Sequence, residues 1–405
     1  MRLFVVSHLL QFHQAVALIK KKSWADCKVV ILYTKRNYDV PSSIKRAASE
    51  DFPGSLEFLE LPDDFNRVSI GNMKLASNIY GNLILTNGVS GLYVFSFEGH
   101  YAILCSIARS SGASINLIEE GTATYKLMRP KEYLTRPTFY GSLKRSFVEV
   151  FHGTSIFDLV KFIRGIFVDL VRLPILIYKF LHSIYKSEYA QERIAKFCKT
   201  APSSYFSFFK SFDSVYVEFP GLAKRIFHFN ESEEFSVQSS ILESFDFESY
   251  ESENAVLFLG QRYPIPYKLY SQIIVETLLS IEDGSETTFI IKPHPKEDPR
   301  FLSELLSVFD ILCPGVKCII LDQDAKVPAE KLILTYRPKK IVSIASSVLM
   351  YMSKHVKNVR DNNLDLICIS DYAINEYKDR LTTDCKHLIF SHGNILKNFP
   401  NIKFI

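Results

Sequence analysis

The stretch TTFIIKPHPKEDP occupies residues 287–299, and in it an apolar run is followed directly by polar residues and prolines. Its aromatic and β-branched residues predict a short buried strand. Pro293 stops that strand, because proline cannot donate a hydrogen bond to a sheet, and Pro295 restricts the intervening His294 to extended or turn backbone. The stretch is therefore typical of a buried parallel strand that ends in a polar loop.

The same pattern recurs on both sides of this stretch, with apolar runs alternating with helical segments. The runs predicted as strands are residues 2–6, 28–33, 56–61, 92–97 and 114–118, then residues 255–260, 287–292, 317–321, 339–344 and 364–369. This alternation predicts two Rossmann-like α/β domains, each with a doubly wound parallel sheet. We expect the carboxyl ends of the two sheets to face a central cleft, where ligands of such sheets bind.

An acidic segment separates the two series of strands. Residues 231–253 contain eight acidic residues and no basic one, interleaved with serines, which is the composition of a solvated connection. We therefore predict an N-terminal domain over residues 1–240 and a C-terminal domain over residues 241–405.

Composition limits the partners and the compartment. The 48 basic residues barely exceed the 44 acidic ones, which argues against a nucleic-acid partner. Seven cysteines without a CxxC pair predict a reducing, cytoplasmic setting without a structural zinc site. The first residues do not resemble a signal peptide, and no uncharged run reaches the roughly 20 apolar residues that a membrane span requires.

An acidic motif ends the last predicted strand of the first series. In the sequence INLIEEGTATYK the apolar run stops at Glu119, Glu120 and Gly121. Glycine lets the backbone turn sharply, and adjacent ionised carboxylates repel, which can raise one pKa toward the range of a general base. A pair of exposed loop glutamates fits the same pattern.

The histidine between the two prolines is a second candidate. His294 can donate a proton or a hydrogen bond to a leaving phosphate, and the neighbouring Lys292 and Lys296 favour an anion site. A structural loop histidine is the alternative.

Two serines stand where a predicted strand gives way to a helix. Free N–H groups at a helix start attract phosphate, so Ser346 and Ser347 are candidate phosphate ligands or an ordinary cap. Upstream, Glu330 either accepts hydrogen bonds from ribose hydroxyls or lies on a helix surface. Asp322 and Asp324 match the DxD spacing of metal-binding transferases, but that spacing is common by chance, and we predict no metal site.

These three motifs, in this order, resemble those of bacterial sialyltransferases. Residues 119–121 are similar to their D/E-D/E-G motif, His294 and Pro295 to their HP motif, and Ser346 and Ser347 to their paired-serine motif. The sequences TATYK and KPHPKED are similar to the capsular polysialyltransferase group. The resemblance implies a GT-B fold and metal-independent, inverting transfer from CMP-sialic acid to a sialic-acid-terminated glycan, without a cofactor.

The resemblance also implies a role for each motif. Glu119 would deprotonate the acceptor hydroxyl, and His294 would stabilise or protonate the departing CMP phosphate. The residues then expected to bind substrates are Glu120, Gly121, Gly260, Gln261, Lys292, Pro295, Glu330, Ser346 and Ser347. The basic charge of the segment after the acidic motif adds Lys126, Arg129 and Lys131 on the acceptor side.

Two further segments suggest partners. Residues 126–145 are strongly basic, which favours either an anionic glycan acceptor or a solvated loop. Residues 156–185 combine apolar positions with charges on roughly one helical face, typical of a segment on a membrane surface or one packed internally or at a dimer contact.

From these features we predict a bacterial cytoplasmic enzyme, peripheral on the inner membrane beside the capsule export machinery. Two alternatives stay open from the sequence. One is another cytidine-nucleotide-dependent transferase of capsule or wall polymers, and the other is a noncatalytic glycan-binding subunit.

Overall fold

A computed structural model describes most of the chain as two compact units. The described residues are 1–48, 54–62, 70–128, 209–238, 253–282, 287–294, 297–321, 327–355 and 364–405, together with Phe52 and Pro174. The first unit comprises Met1–Glu119 and Lys131–Glu234, and the second comprises Glu120–Pro130 and Phe235–Ile405. The division after Glu234 lies shortly before residue 240, where we predicted the boundary. The described residues Glu120–Met128 belong to the second unit.

The first unit contains a seven-stranded sheet whose neighbouring strands are all parallel. Its strands are β1 (Arg2–Val6), β2 (Cys27–Tyr33), β3 (Ser55–Glu60), β4 (Gly91–Val94), β5 (Ser114–Ile118), β6 (Ser211–Val217) and β7 (His228–Glu234). Their order is β3-β2-β1-β4-β5-β6-β7. The direction of the order reverses beside β1, which is the switch point of a doubly wound sheet.

Helices connect these strands. They are α1 (Leu9–Lys21), α2 (Asp39–Ala48), α3 (Ile70–Thr86), α4 (His100–Ser110) and the short α5 (Pro220–Ala223). The central strands β1, β4 and β5 are buried at nearly every position, whereas the edge strands β3 and β7 are largely exposed. Burial along the whole strand explains why the central strands are continuous apolar runs in the sequence.

The second unit contains a six-stranded parallel sheet. Its strands are β8 (Glu253–Leu259), β9 (Thr288–Lys292), β10 (Cys318–Ile320), β11 (Pro338–Ser343), β12 (Asp365–Cys368) and β13 (Ile402–Phe404), in the order β10-β9-β8-β11-β12-β13. Its helices are α6 (Tyr267–Ile281), α7 (Pro299–Leu312), α8 (Ala329–Tyr336), α9 (Ser347–His355), α10 (Ser370–Glu376) and α11 (Thr383–Leu396). Phe258, Ile273, Phe289 and Leu305 lie in one apolar core between strands and helices.

A 3-10 helix, Gly121–Met128, also belongs to the second unit. It packs against α9 and α11. Tyr125 is fully buried, and its ring meets the edge of the Phe399 ring with centroids 5.4 Å apart. This apolar contact explains why the segment leaves the first unit directly after Glu119.

All ten predicted strands are present, with bounds that differ by a few residues at most, and the predicted α/β fold class is confirmed. Three strands were not predicted. The sequence of β6, SFDSVYV, is interrupted by polar residues, β7 is almost wholly polar, and β13 has three residues. The acidic segment from Glu231 therefore begins inside an edge strand.

Two predicted segments lie outside the described residues. These are the basic stretch from Arg129 to residue 145 and the amphipathic residues 156–185, apart from Pro174. Within the described part of the chain, no helix is long and apolar enough to cross a membrane.

Two lysines at the start of β11 tie that strand to the end of α6. Glu282 caps α6, and its Oε1 lies 3.1 Å from Lys339 Nζ and also pairs with Lys340. Burial raises the pKa of Glu282, but the hydrogen bonds and charges of Lys340 and Lys339 outweigh that effect and hold the pKa below its ordinary value. The folded state therefore stabilises the ionised form of Glu282 relative to the unfolded state.

We predict that Glu282→Gln lowers the melting temperature at about pH 7, because the free energy of unfolding falls by roughly 1 kcal/mol. Because the folded-state pKa is lowered, this stabilisation is complete above the unfolded-state value of about 4.3 and is lost as pH falls through the folded-state value. Thermal unfolding should therefore show a smaller difference between variant and wild type in acid. Glu304→Gln is the control, since Glu304 has no ion pair within the described residues. A pH-independent difference would contradict the prediction.

Candidate active-site residues

Glu119 lies at the carboxyl end of β5 in the first unit. Its backbone N–H donates to the carbonyl oxygen of Tyr216 at 2.9 Å, which continues the pairing of β5 with β6. Its side chain is buried, with 1% of its surface exposed, and Oε2 accepts the backbone N–H of Glu218 at 2.9 Å. The carboxylate is therefore held in a fixed position instead of projecting into solvent as a loop glutamate would.

Glu218 is a site residue that we did not predict. It follows β6 directly, and only 2% of its surface is exposed. Two buried glutamates thus stand at the ends of adjacent strands in the first unit. A signal was present in the sequence, because VYVEFP shows the same apolar run ending in a carboxylate and then a turn residue.

The rest of the acidic motif belongs to the second unit. Glu120 is half-buried, and its backbone N–H donates to Thr124 Oγ1 at 2.7 Å. Gly121 has φ +64°, a left-handed conformation that strains any residue with a Cβ atom. The two adjacent carboxylates therefore have different environments, with the first buried and the second partly exposed.

Gly121 connects the acidic motif to the paired serines. A Cβ at Gly121 would lie 3.4 Å from Ser347 Cβ, 3.6 Å from Ser347 Oγ and 3.6 Å from the Tyr351 hydroxyl. Ser347 begins α9, so the backbone of the acidic motif passes beside the amino terminus of that helix. Two motifs more than 200 residues apart in the sequence are thereby brought together within one unit.

The paired serines form the start of α9. Ser346 Oγ accepts the backbone N–H of Val348 at 3.3 Å, and the Ser346 carbonyl accepts that of Leu349 at 3.2 Å. Ser346 is thus a helix cap, and Ser347 is the first helical residue, with both side chains half-buried. The cap geometry and an anion site are compatible, because the helix start supplies N–H groups and positive dipole to a bound anion.

His294 follows β9 beside Gly260, which follows β8. Gly260 donates its N–H to the Lys292 carbonyl at 2.8 Å, and a Cβ there would lie 3.0 Å from that oxygen and 3.2 Å from His294 N. A side chain at this position would push the two loops apart by a few tenths of an ångström, so glycine favours their close approach. His294 is half-buried, and its carbonyl accepts the N–H of Glu297 at 2.9 Å, whereas Pro295 lies outside the described residues.

Gln261 joins the loop after β8 to the loop after β11. Its side chain donates to the Ala345 carbonyl at 2.9 Å and accepts the Ala345 N–H at 2.7 Å. Its backbone N–H donates to the Tyr270 hydroxyl at 3.3 Å, and that hydroxyl donates to the Gln261 carbonyl. The amide thus fixes the residue just before Ser346, so Gln261 is placed to position the paired serines.

Lys292 and Glu330 are both buried, with 7% and 5% of their surfaces exposed. Burial raises the pKa of Glu330, while its own backbone N–H and the positive charge of Lys292 act in the opposite direction. Glu330 is therefore not an ordinary surface glutamate. Asp322 and Asp324 lie outside the described residues. Among the residues that are described, no group of three His, Cys, Asp or Glu side chains could hold a metal ion.

The structure gathers most of the predicted residues of the second unit at one edge of its sheet. β9, β8 and β11 are consecutive neighbours, so His294, Gln261 and Ser346 all follow the carboxyl ends of adjacent strands. A half-buried imidazole and a serine-capped helix start suit the binding of a phosphate group. On the acceptor side, Lys126 is half-buried in the 3-10 helix, and Lys131 lies outside the described residues, as does Arg129.

The two units, each with a parallel sheet and with polar side chains after the carboxyl ends of its strands, have the architecture predicted for a two-domain α/β glycosyltransferase. The sequence matches the alpha-2,8-polysialyltransferase family over residues 2–360. The chain belongs to this family. It is a glycosyltransferase of the sialyltransferase type, using a nucleotide-sugar donor and a glycan acceptor, and the predicted GT-B class is confirmed.

The solved structures that are similar to this chain have low sequence identity with it. UDP-GlcNAc 2-epimerase from Methanocaldococcus jannaschii is 12% identical, over 99% of this chain and 94% of that one, with a TM-score of 0.45. MurG from Acinetobacter baumannii is 7% identical, over 100% and 85%, with a TM-score of 0.46. UGT89C1 from Arabidopsis thaliana, complexed with UDP, is 9% identical, over 100% and 85%, with a TM-score of 0.45. A comparison with curated proteins finds no match.

We predict that Gly121→Ala raises the KM for the donor several-fold, because its methyl group would lie against Ser347. The left-handed backbone should also cost about 1–2 kcal/mol of stability. Gly88→Ala is the matched control, since Gly88 has φ +53° and nothing within 4 Å of the added Cβ. Steady-state kinetics and thermal unfolding should show destabilisation of both variants but a KM change in only one. Equal KM values for both variants would refute the contact's role.

We predict that Gln261→Ala lowers the free energy of unfolding by roughly 1–3 kcal/mol, and with it the melting temperature. The KM for the donor should rise. Gln261→Glu keeps the shape and the acceptor for the Ala345 N–H but loses the donor to the Ala345 carbonyl, so it should be similarly impaired. A direct substrate ligand would behave differently. If either variant changes the KM while the melting temperature is unchanged, Gln261 contacts the substrate and does not position the serines.

Proposed function

We propose that the chain transfers sialic acid from CMP-sialic acid to a hydroxyl of a sialic-acid-terminated glycan and so extends an α2,8-linked polymer. The family match supports the sugar and the linkage. Glu119 carries the chemical part of the proposal, because it is a buried carboxylate of fixed orientation directly after a central strand.

Glu119 acts as the base in this proposal. Transfer with inversion requires the acceptor hydroxyl to lose its proton as the oxygen attacks the anomeric carbon, and a carboxylate within hydrogen-bond reach can take that proton. The Glu218 N–H holds Oε2 at 2.9 Å, which fixes the direction in which the carboxylate can accept. Gly121 redirects the chain two residues later, so that Glu119 remains with its strand.

His294 and the start of α9 act on the leaving group. Departure of CMP leaves negative charge on its phosphate, and a helix amino terminus, serine hydroxyls and an imidazole can stabilise that charge. Ser346 and Ser347 lie at the helix start, while Gln261 holds the preceding residue in place. A nucleoside monophosphate carries less charge than a diphosphate, and we therefore propose transfer without a metal ion or other cofactor.

Lys292 and Glu330 would contact the donor from the side of β9 and α8. Both side chains are buried near one another, and Lys292 precedes His294 by two residues. The lysine can bind an anionic group, and the glutamate can accept hydrogen bonds from ribose hydroxyls. Lys126, Arg129 and Lys131 would attract the anionic acceptor through screened charge interactions.

We place the reaction in the bacterial cytoplasm, at the inner surface of the membrane beside the export machinery. Free thiols support a reducing compartment, since none of the described cysteines forms a disulfide. Burial raises the pKa of the Cys368 thiol to about 11, which keeps that thiol protonated and unreactive.

The central test compares Glu119→Gln, His294→Ala and the matched control Glu120→Gln in transfer from CMP-sialic acid to a short sialic-acid oligomer. We expect the first two to lower turnover by roughly 100-fold or more, as when a positioned acid or base is lost, and Glu120→Gln to have a much smaller effect. Mass spectrometry would count the residues added, and melting temperatures would confirm intact folds. If Glu120→Gln abolishes transfer and Glu119→Gln does not, the base is wrongly assigned.

Donor specificity separates the main alternative. Turnover of CMP-sialic acid supports the proposal, whereas turnover of CDP-linked polyols alone would assign another cytidine-nucleotide transferase of capsule or wall polymers. The product's linkage can be read by NMR, and transfer should persist when a chelator is added.

A further inference from the structure

A cavity of about 430 Å³ opens in the first unit at the end of the sheet opposite to Glu119. Ser211 and His228 start β6 and β7, pair with each other in the sheet and line this cavity. Glu218, by contrast, follows the last residue of β6. A strand of this length spans about 20 Å at 3.3 Å per residue, so the cavity is well separated from the proposed base.

The cavity has a positive lining. Arg109, Lys224 and His228 face it together with one carboxylate, Asp213. That carboxylate is already committed, because its Oδ2 accepts the backbone N–H of Ile115 at 2.6 Å and lies 3.3 Å from Arg109 Nη2. Neither Lys224 nor His228 has a side-chain partner within the described part of the chain, and both are exposed. The Lys224 ammonium charge is therefore available to an incoming anion, and the His228 ring can donate a hydrogen bond to it.

The same cavity also has an apolar wall. Phe212 and Phe227 line it and are largely buried, with ring centroids 5.4 Å apart in an edge-to-face arrangement. Asn230 adds an exposed amide, which can both donate and accept hydrogen bonds. Cations, an amide and aromatic rings together match a sugar acid, which offers a carboxylate, hydroxyl groups and an apolar ring face.

We propose that this cavity is a second binding site for a sialic-acid residue of the acceptor, distant from the site of transfer. The proposal rests on the proposed function, since it assumes an acceptor that repeats a carboxylate on every sugar. A polymer held at Lys224 and His228 is kept at a high local concentration near Glu119 once it is long enough to reach both places. A short acceptor reaches only one of them and gains nothing.

The experiment measures binding and transfer separately. Binding of a fluorescent α2,8-linked sialic-acid oligomer is measured on the full chain carrying Glu119→Gln, with and without Lys224→Glu or His228→Ala. We expect either cavity change to weaken binding by roughly 5- to 10-fold, about the effect of losing one charge-assisted hydrogen bond. Lys45→Glu is the matched control, since Lys45 is an exposed lysine of the same unit on α2, outside the cavity lining. Unchanged oligomer binding in Lys224→Glu and His228→Ala would overturn the proposal.

Kinetics on the otherwise wild-type chain supply the second readout. Lys224→Glu should raise the KM for long acceptors and leave kcat and the KM for short acceptors unchanged, while an equal effect on both lengths would overturn the proposal. Inorganic phosphate and free sialic acid are compared as competitors of the bound oligomer. If phosphate displaces the oligomer as effectively as sialic acid does, the cavity is a general anion site and the proposal is overturned. If the wild type transfers nothing from CMP-sialic acid yet Lys224→Glu weakens oligomer binding, the donor assignment fails and the cavity assignment stands.

Discussion

The peptide bond between Glu119 and Glu120 constrains the whole acidic motif, because it joins residues of different compact units. On one side, the ladder of β5 with β6 and the N–H of Glu218 fix Glu119. On the other, Gly121 lies against Ser347 at the start of α9. The proposed base and the glycine that packs beside the paired serines are thus only two positions apart in the chain, although they belong to different units.

The candidate site of the second unit lies on loops that contact and hydrogen-bond one another. Gly260 allows the loops after β8 and β9 to touch, and Gln261 binds both backbone groups of Ala345 after β11. Each of these loops follows a strand that is rigid through burial, so the fold supplies a firm base on which polar side chains are placed. Tyr270 strengthens this arrangement by binding the backbone of Gln261 from the helix below.

The sequence predicted those parts that depend on local pattern. Strands buried along their whole length are continuous apolar runs, and a motif that directly follows such a run, as Glu119 and His294 do, can be placed at a sheet edge without coordinates. β6 and β7 were missed because polar residues interrupt or replace the apolar pattern, and Glu218 was missed with them. The contact of Gln261 with Ala345 joins residues 84 positions apart. No spacing rule reveals such a pair, since it arises only when β8 and β11 become neighbours.

Among the residues that the structure describes, β7 is an edge strand of its sheet, which has a consequence for the protein in concentrated solution. An open strand edge offers unpaired N–H and C=O groups to any other strand that approaches, which is a common route to aggregation. Here Glu231 and Glu234 are exposed on that edge, and Glu233 is held by Lys21 and Lys22. Two copies that met edge to edge would bring carboxylates together, and the resulting repulsion disfavours fibrous association of a chain that is 47% hydrophobic.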